Sequence, residues 1–182
     1  MIRKLKYKAM LAAMMLAFSM TSGAFAAFDV NQAADEVTVD PLTAYTVYLG
    51  MPKADFAADF SVLSDWQYKQ IDGTHEKAER TMKLKNDFLL EGVNILTVDA
   101  APSSKVIEFN NYFKTGNKGI AKAVYQRLLS TIWMSLEAPV SQSGDSALWV
   151  SKDVSIQVTM AYDKGEGAYI VTIRRFNNTI LS

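Results

Sequence analysis

The chain has one histidine, His75, and it stands among carboxylates in Asp72-Gly73-Thr74-His75-Glu76, with Glu79 shortly after. An imidazole beside acidic side chains can bind a divalent metal, or act as a general base that a carboxylate orients. Zinc peptidases need two histidines one helical turn apart, which this sequence cannot supply. The residue types therefore fit a surface histidine next to a turn, and no metal centre is expected.

The remaining chemistry-bearing stretches are incomplete. Gly144-Asp145-Ser146-Ala147-Leu148 resembles the nucleophile block of Gly-Asp-Ser esterases, but the partner histidine of such a serine lies downstream and none follows Ser146. Asp55 and Asp59 are spaced one helical turn apart, as charges on the solvated side of an amphipathic helix are. Asp163-Lys164-Gly165-Glu166-Gly167 lacks the alternating ligands and closing glutamate of a calcium loop, and reads as a hairpin turn. Gly116-Asn117-Lys118-Gly119 lacks the residues that cradle a phosphate. No catalytic set and no cofactor are expected. The aromatic side chains are the remaining resource for binding, because a ring offers a large apolar surface and, in Tyr and Trp, a polar edge. Trp133 reads as core, whereas Trp66, Tyr162 and Tyr169 are candidate ligand contacts.

These residues must be positioned by an α+β fold. Pro52 opens a short helix whose stripe is Phe56, Phe60 and Leu63, with Asp55 in the first turn where the helix dipole favours a negative charge. Ala44–Leu49 before it is expected as a short strand. Trp66–Ile71 reads as a strand closed by the Asp72-Gly73 turn. Thr74–Lys85 mixes helix-favouring residues with alternation at Arg80–Lys85, and is taken as a strand. Phe88–Val98 and Val106–Phe113 are further strands. The longest helix starts near Asn117, carries Ile120, Val124, Leu128, Ile132 and Leu136 at four-residue steps, and ends at Pro139. Ala147–Val150, Val154–Ala161 and Tyr169–Phe176 complete the strands, the last two as a hairpin. Strands grouped after each helix, not alternating with helices, imply an antiparallel sheet of about six to seven strands with one short and one long helix on one face. A tryptophan follows each helix (Trp66, Trp149), which suggests a twofold repeat, but the spacings after the two differ.

Residues 1–26 read as a secretory signal peptide. Arg3, Lys4, Lys6 and Lys8 precede the apolar run Ala9–Phe18, and Ala24-Phe25-Ala26 supplies the small residues of a cleavage site after Ala26. The run is short of the roughly 20 residues that span a bilayer, so no stable membrane insertion is expected after cleavage. The chain has no cysteine, which excludes disulfides, thiol catalysis and a lipidated N-terminus. Loss of the four basic leader residues leaves 15 Lys+Arg against 19 Asp+Glu, a net charge of about −4, and nucleic acid is an unsuitable partner. The expected organisation is the leader, an irregular lead-in over residues 27–44, and one α+β domain over 45–182, in the periplasm or secreted.

Gly50-Met51-Pro52-Lys53-Ala54-Asp55-Phe56 resembles the helix start of small exported bacterial α+β domains such as the outer-membrane assembly lipoproteins and the β-lactamase-inhibitor-like proteins. The resemblance covers those seven residues, and the chain departs from the lipoproteins in lacking their cysteine. It implies a binding module. The expected function is therefore a non-enzymatic binding domain of the bacterial envelope, its partner another envelope protein or a small apolar ligand. The alternative is a small hydrolase built on carboxylate and tyrosine side chains.

Overall fold

The structure is a computed structural model that describes residues 24–37 and 40–178, with side chains from Val30 onward. The basic head and apolar run of the expected leader lie outside the described residues. Among the described residues no helix is long and apolar enough to cross a membrane.

Eight strands form one antiparallel sheet in the order β1-β2-β3-β4-β8-β7-β6-β5. They are β1 (Gln67–Gln70), β2 (His75–Lys83), β3 (Phe88–Thr97), β4 (Val106–Thr115), β5 (Ser141–Ser143), β6 (Ser146–Val150), β7 (Val154–Asp163) and β8 (Ala168–Asn177). The helices are α1 (Ala24–Glu36), α2 (Lys53–Ser61) and α3 (Lys118–Leu136). The expected class is thus observed, with one more short strand and one more helix. β5 is Ser-Gln-Ser, fully exposed, and carries no hydrophobic alternation to announce it. Residues 27–36 are helical where irregular backbone was expected. That helix packs along α3, and Ala33 and Val37 are buried against it, so tertiary contact supplies what the polar sequence does not. Ala44–Leu49 is a turn closed by an Ala44–Val47 bridge, with Tyr45 at a φ of 58°, a conformation no strand contains.

The sheet is made of two equivalent runs. A helix followed by a four-strand meander occurs twice, as α2-β1-β2-β3-β4 and α3-β5-β6-β7-β8, and the last strands of each pair at the centre. β4 and β8 are both ten residues long, and their burial runs in the same order over the first six positions.

All buried strand positions that meet a helix lie on one face. Over the second run, Ile120, Val124, Leu128 and Ile132 of α3 cover Phe113, Val171, Ile173, Val158 and Trp149. Over the first, Phe56 and Phe60 of α2 cover Val93, Ile95 and Phe109, joined by Trp66, Val47 and Met51. Full burial of each such side chain is worth about 1.5–3 kcal/mol. The two helices start differently. The Asn117 side chain caps α3, accepting from the backbone N–H of Gly119 at 2.9 Å and Ile120 at 3.3 Å. α2 begins after Pro52 with no side-chain cap, and the Ser104 and Pro102 carbonyls accept from the Lys53 and Ala54 N–H groups at 2.8 and 2.9 Å.

Between the two apolar clusters runs a polar seam on the helix-covered face. Arg80 and Glu91 are cross-strand partners on β2 and β3, joined by an Nε–Oε2 hydrogen bond of 2.9 Å. The Tyr45 phenol donates to Glu91 at 2.7 Å and accepts from Arg80 at 2.9 Å. Further along, the fully buried Arg175 of β8 donates to the carbonyls of Asp40 (2.6 Å) and Pro41 (2.8 Å) and to Asn111 Oδ1 (2.8 Å). Its guanidinium lies 4.9 Å from the centre of the Phe109 ring. Burial pulls this guanidinium down to about 9, which leaves it protonated at neutral pH. Residues 40–45 are therefore a strap laid across the seam and tied at both ends.

Candidate functional site

Among the described residues no helix lies on the opposite face of the sheet, which holds a cleft of about 490 Å³. Its walls come from the β1–β2 turn (Ile71, Asp72), β2 (His75, Lys77), β3 (Asn94, Leu96) and β4 (Glu108, Asn110). Register brings them together. His75 faces Leu96 and Lys77 faces Asn94 across β2–β3, while Asn94 faces Asn110 and Leu96 faces Glu108 across β3–β4. Side chains alternate between faces along a strand, so every one of these positions points away from the core that Ala78, Val93 and Phe109 fill.

The turn at one end is rigid. Asp72 Oδ1 accepts from the backbone N–H of Thr74 at 2.7 Å and of His75 at 2.8 Å, and the same carboxylate holds His75 Nδ1 at 2.9 Å. These bonds, the Thr74 N–H foremost, hold the Asp72 carboxyl well below the usual carboxylate range. Nδ1 is spent on this contact, which leaves Nε2 as the ring's remaining hydrogen-bonding atom. At the far wall Glu108 takes a two-pronged ion pair from Arg174, with both N–O distances 2.5 Å. Lys77 pairs with Glu79 at 2.8 Å. Glu79 also accepts from the Tyr112 phenol, whose ring lies over Gly92 so closely that a Cβ there would stand 2.1 Å from Tyr112 Cζ. Burial first, and then Glu79, push that phenol up.

Asn94 and Asn110 have no such partner. Both are half-buried, adjacent in register, and neither side chain makes a hydrogen bond among the described residues. Carboxamides are uncommon in strands and each offers two donors and an acceptor with two lone pairs. The cleft thus presents two uncommitted amides and one imidazole nitrogen between the apolar edges Ile71 and Leu96. Beneath it, on the core side of β2, Glu76 pairs with Lys53 of α2 at 3.4 Å, and Lys53 Nζ also donates to the Gly73 carbonyl at 2.5 Å.

The aromatic candidates lie elsewhere. Trp66 is buried in the first cluster, edge-on to Phe60 and Tyr45, with Arg80 stacked 5.2 Å from its ring. Tyr162 and Tyr169 are cross-strand partners at the end of the β7–β8 hairpin, ring centres 4.8 Å apart, Tyr162 half-exposed and Tyr169 packed against the second cluster. None of the three borders the cleft. Ser146 opens β6 after a turn that places Gly144 at a φ of 54°. Five strand spacings separate it from the His75 strand, about 24 Å, too far for a nucleophile and its base. Among the described residues no three His, Cys, Asp or Glu side chains form a group that would hold a metal. Sequence reading took Asp72 and His75 for a surface histidine beside a turn and missed Asn94 and Asn110, whose one signal is a carboxamide at an outward strand position.

No family model matches the chain, and comparison with characterised proteins and with solved structures finds no significant relative.

Proposed function

We propose that this chain is an exported binding domain of the bacterial envelope that takes its ligand on the open face of the sheet. The observation that carries the reading is the pair Asn94 and Asn110, half-buried in the cleft with their hydrogen-bonding capacity unspent. Polar groups that open into a concavity and are not tied to the protein are what a ligand pairs with. The Ala24-Phe25-Ala26 exit and the basic head before it support export. The cleft supports retention without turnover, because the His75 ring is tied at Nδ1 by Asp72 and by the Thr74 hydroxyl 3.1 Å away, and no lining residue of the cleft carries a hydroxyl. A cleft floored by amides on the face away from the helices favours a polar ligand over an apolar one held between sheet and helix.

The test is to express the full chain with its own leader, purify it from the exporting host, and extract bound small molecules under denaturing conditions for mass spectrometry. The reading expects an N-terminus at Ala27 and a ligand that rebinds and is recovered unchanged. A ligand recovered as a cleavage product would replace binding with hydrolysis.

A further inference from the structure

We infer that the ligand of the open-face cleft is an uncharged N-acetylated amino sugar. This rests on the binding reading above and adds the chemistry of the ligand. The first argument is charge. Glu108 is held by both prongs of Arg174 and Lys77 by Glu79, while the Asp72 carboxylate is tied by the His75 ring and by the backbone N–H groups of Thr74 and His75. A charged ligand would have to break the Glu108–Arg174 or Lys77–Glu79 pair, or displace the hydrogen bonds that tie Asp72, to gain a charged partner in the walls. A neutral ligand leaves these contacts intact.

The second argument is hydrogen-bond capacity. Asn94 and Asn110 each present a carboxamide, and an acetamido group is itself a carboxamide, so one asparagine can take it in a closed two-bond ring. The second asparagine and His75 Nε2 then face adjacent ring hydroxyls, which donate and accept equally well. Ile71 and Leu96 provide apolar surface for the acetyl methyl and the C–H face of the ring. A peptide is the poorer occupant. It binds sheets by adding a strand at an exposed edge, here that of β1, and this cleft lies on a face, over β2, β3 and β4. An extended peptide carries one amide per residue and would find two uncommitted amides to meet them.

The experiment follows the side-chain amide signals of Asn94 and Asn110 by NMR in the full chain, purified after export, while N,N′,N″-triacetylchitotriose is added. The expected result is a saturable shift of both side-chain signals and of the His75 ring, little changed by salt. The Asn94→Ala and Asn110→Ala variants, whose unfolding midpoints serve as the folding control, should each lose about tenfold in affinity. The deacetylated, cationic chitotriose and a neutral tripeptide amide should not shift these signals. If either does so more strongly than the acetylated sugar, the sugar assignment is overturned while the cleft stands as a binding site. If none of the three acts and extracts of the envelope also leave the signals unmoved, the sugar assignment and the binding reading fall together.

Discussion

In the first run of the sheet the covering helix has nine residues, and in the second it has nineteen and lies across β7 and β8 and onto β4. The long helix, with α1 beside it, seals its sheet with aliphatic side chains and leaves few polar groups inside. The short helix cannot reach as far, and the space beyond it is filled by charge: Lys53–Glu76 under its first turn, and Arg80–Glu91–Tyr45 under the strap. Arg175 sits at the boundary, contributed by the second run and bonded to the strap of the first. The cleft opens on the back of the run that buries charge. One architecture thus supplies a dry, stabilising half and a half whose internal pairing holds the walls of a site.

The largest effect expected from disturbing that contrast is at the buried pair. Lys53→Met leaves Glu76 charged and stranded and should cost about 3–5 kcal/mol in urea unfolding, whereas the double change Lys53→Met/Glu76→Leu should return most of it. A double variant as unstable as the single one would show that the pair supports more than its own burial. In the second run the vulnerable quantity is volume. Leu128→Ala should cost about 3 kcal/mol through the cavity it leaves, with ligand binding at the other face unchanged. Loss of binding without loss of fold in that variant would break the separation of the halves.

How much of this was legible follows the same division. The long helix and the closing hairpin were read nearly to the residue, because Asn117 caps, Pro139 stops, and the hydrophobic period is unbroken. The strap, α1 and β5 were not, because each is held by contacts distant in sequence, with Arg175 reaching back to Asp40 as the clearest case. Asp72 and His75 were legible as neighbours in the chain. Asn94 and Asn110 become neighbours only through the β3–β4 register, and a one-residue slip would place them in the core. The likeness of the two runs is one of element order and of the burial of β4 and β8, and it becomes visible only once the strands are paired.

Alkaline titration gives a smaller test, weighted toward the charged half. Tyr45, Tyr68 and Tyr112 all stand there with phenols pushed up, Tyr68 to about 12 by burial and then by Glu76. A phenol whose folded pKa exceeds its unfolded value of 10.0 contributes fully below pH 10. That contribution is lost between pH 10 and about 12, as the unfolded chain ionises first. Stability should therefore fall over that window and fall less in Tyr68→Phe, measured as unfolding midpoint against pH. The smallest effect is at the helix starts. Asn117→Ala should cost about 1 kcal/mol, and Pro52→Ala should cost less, because loop carbonyls already cap α2.

On the proposal above, the open face binds through two amides that the fold does not need. This is tested by following the thermal unfolding of the wild type and of Asn94→Ala/Asn110→Ala, each with and without the low-mass fraction of an envelope extract. Equal midpoints are expected without extract, with a rise in the wild type and no rise in the double variant when extract is added. A double variant that rises as far as the wild type would contradict the proposal.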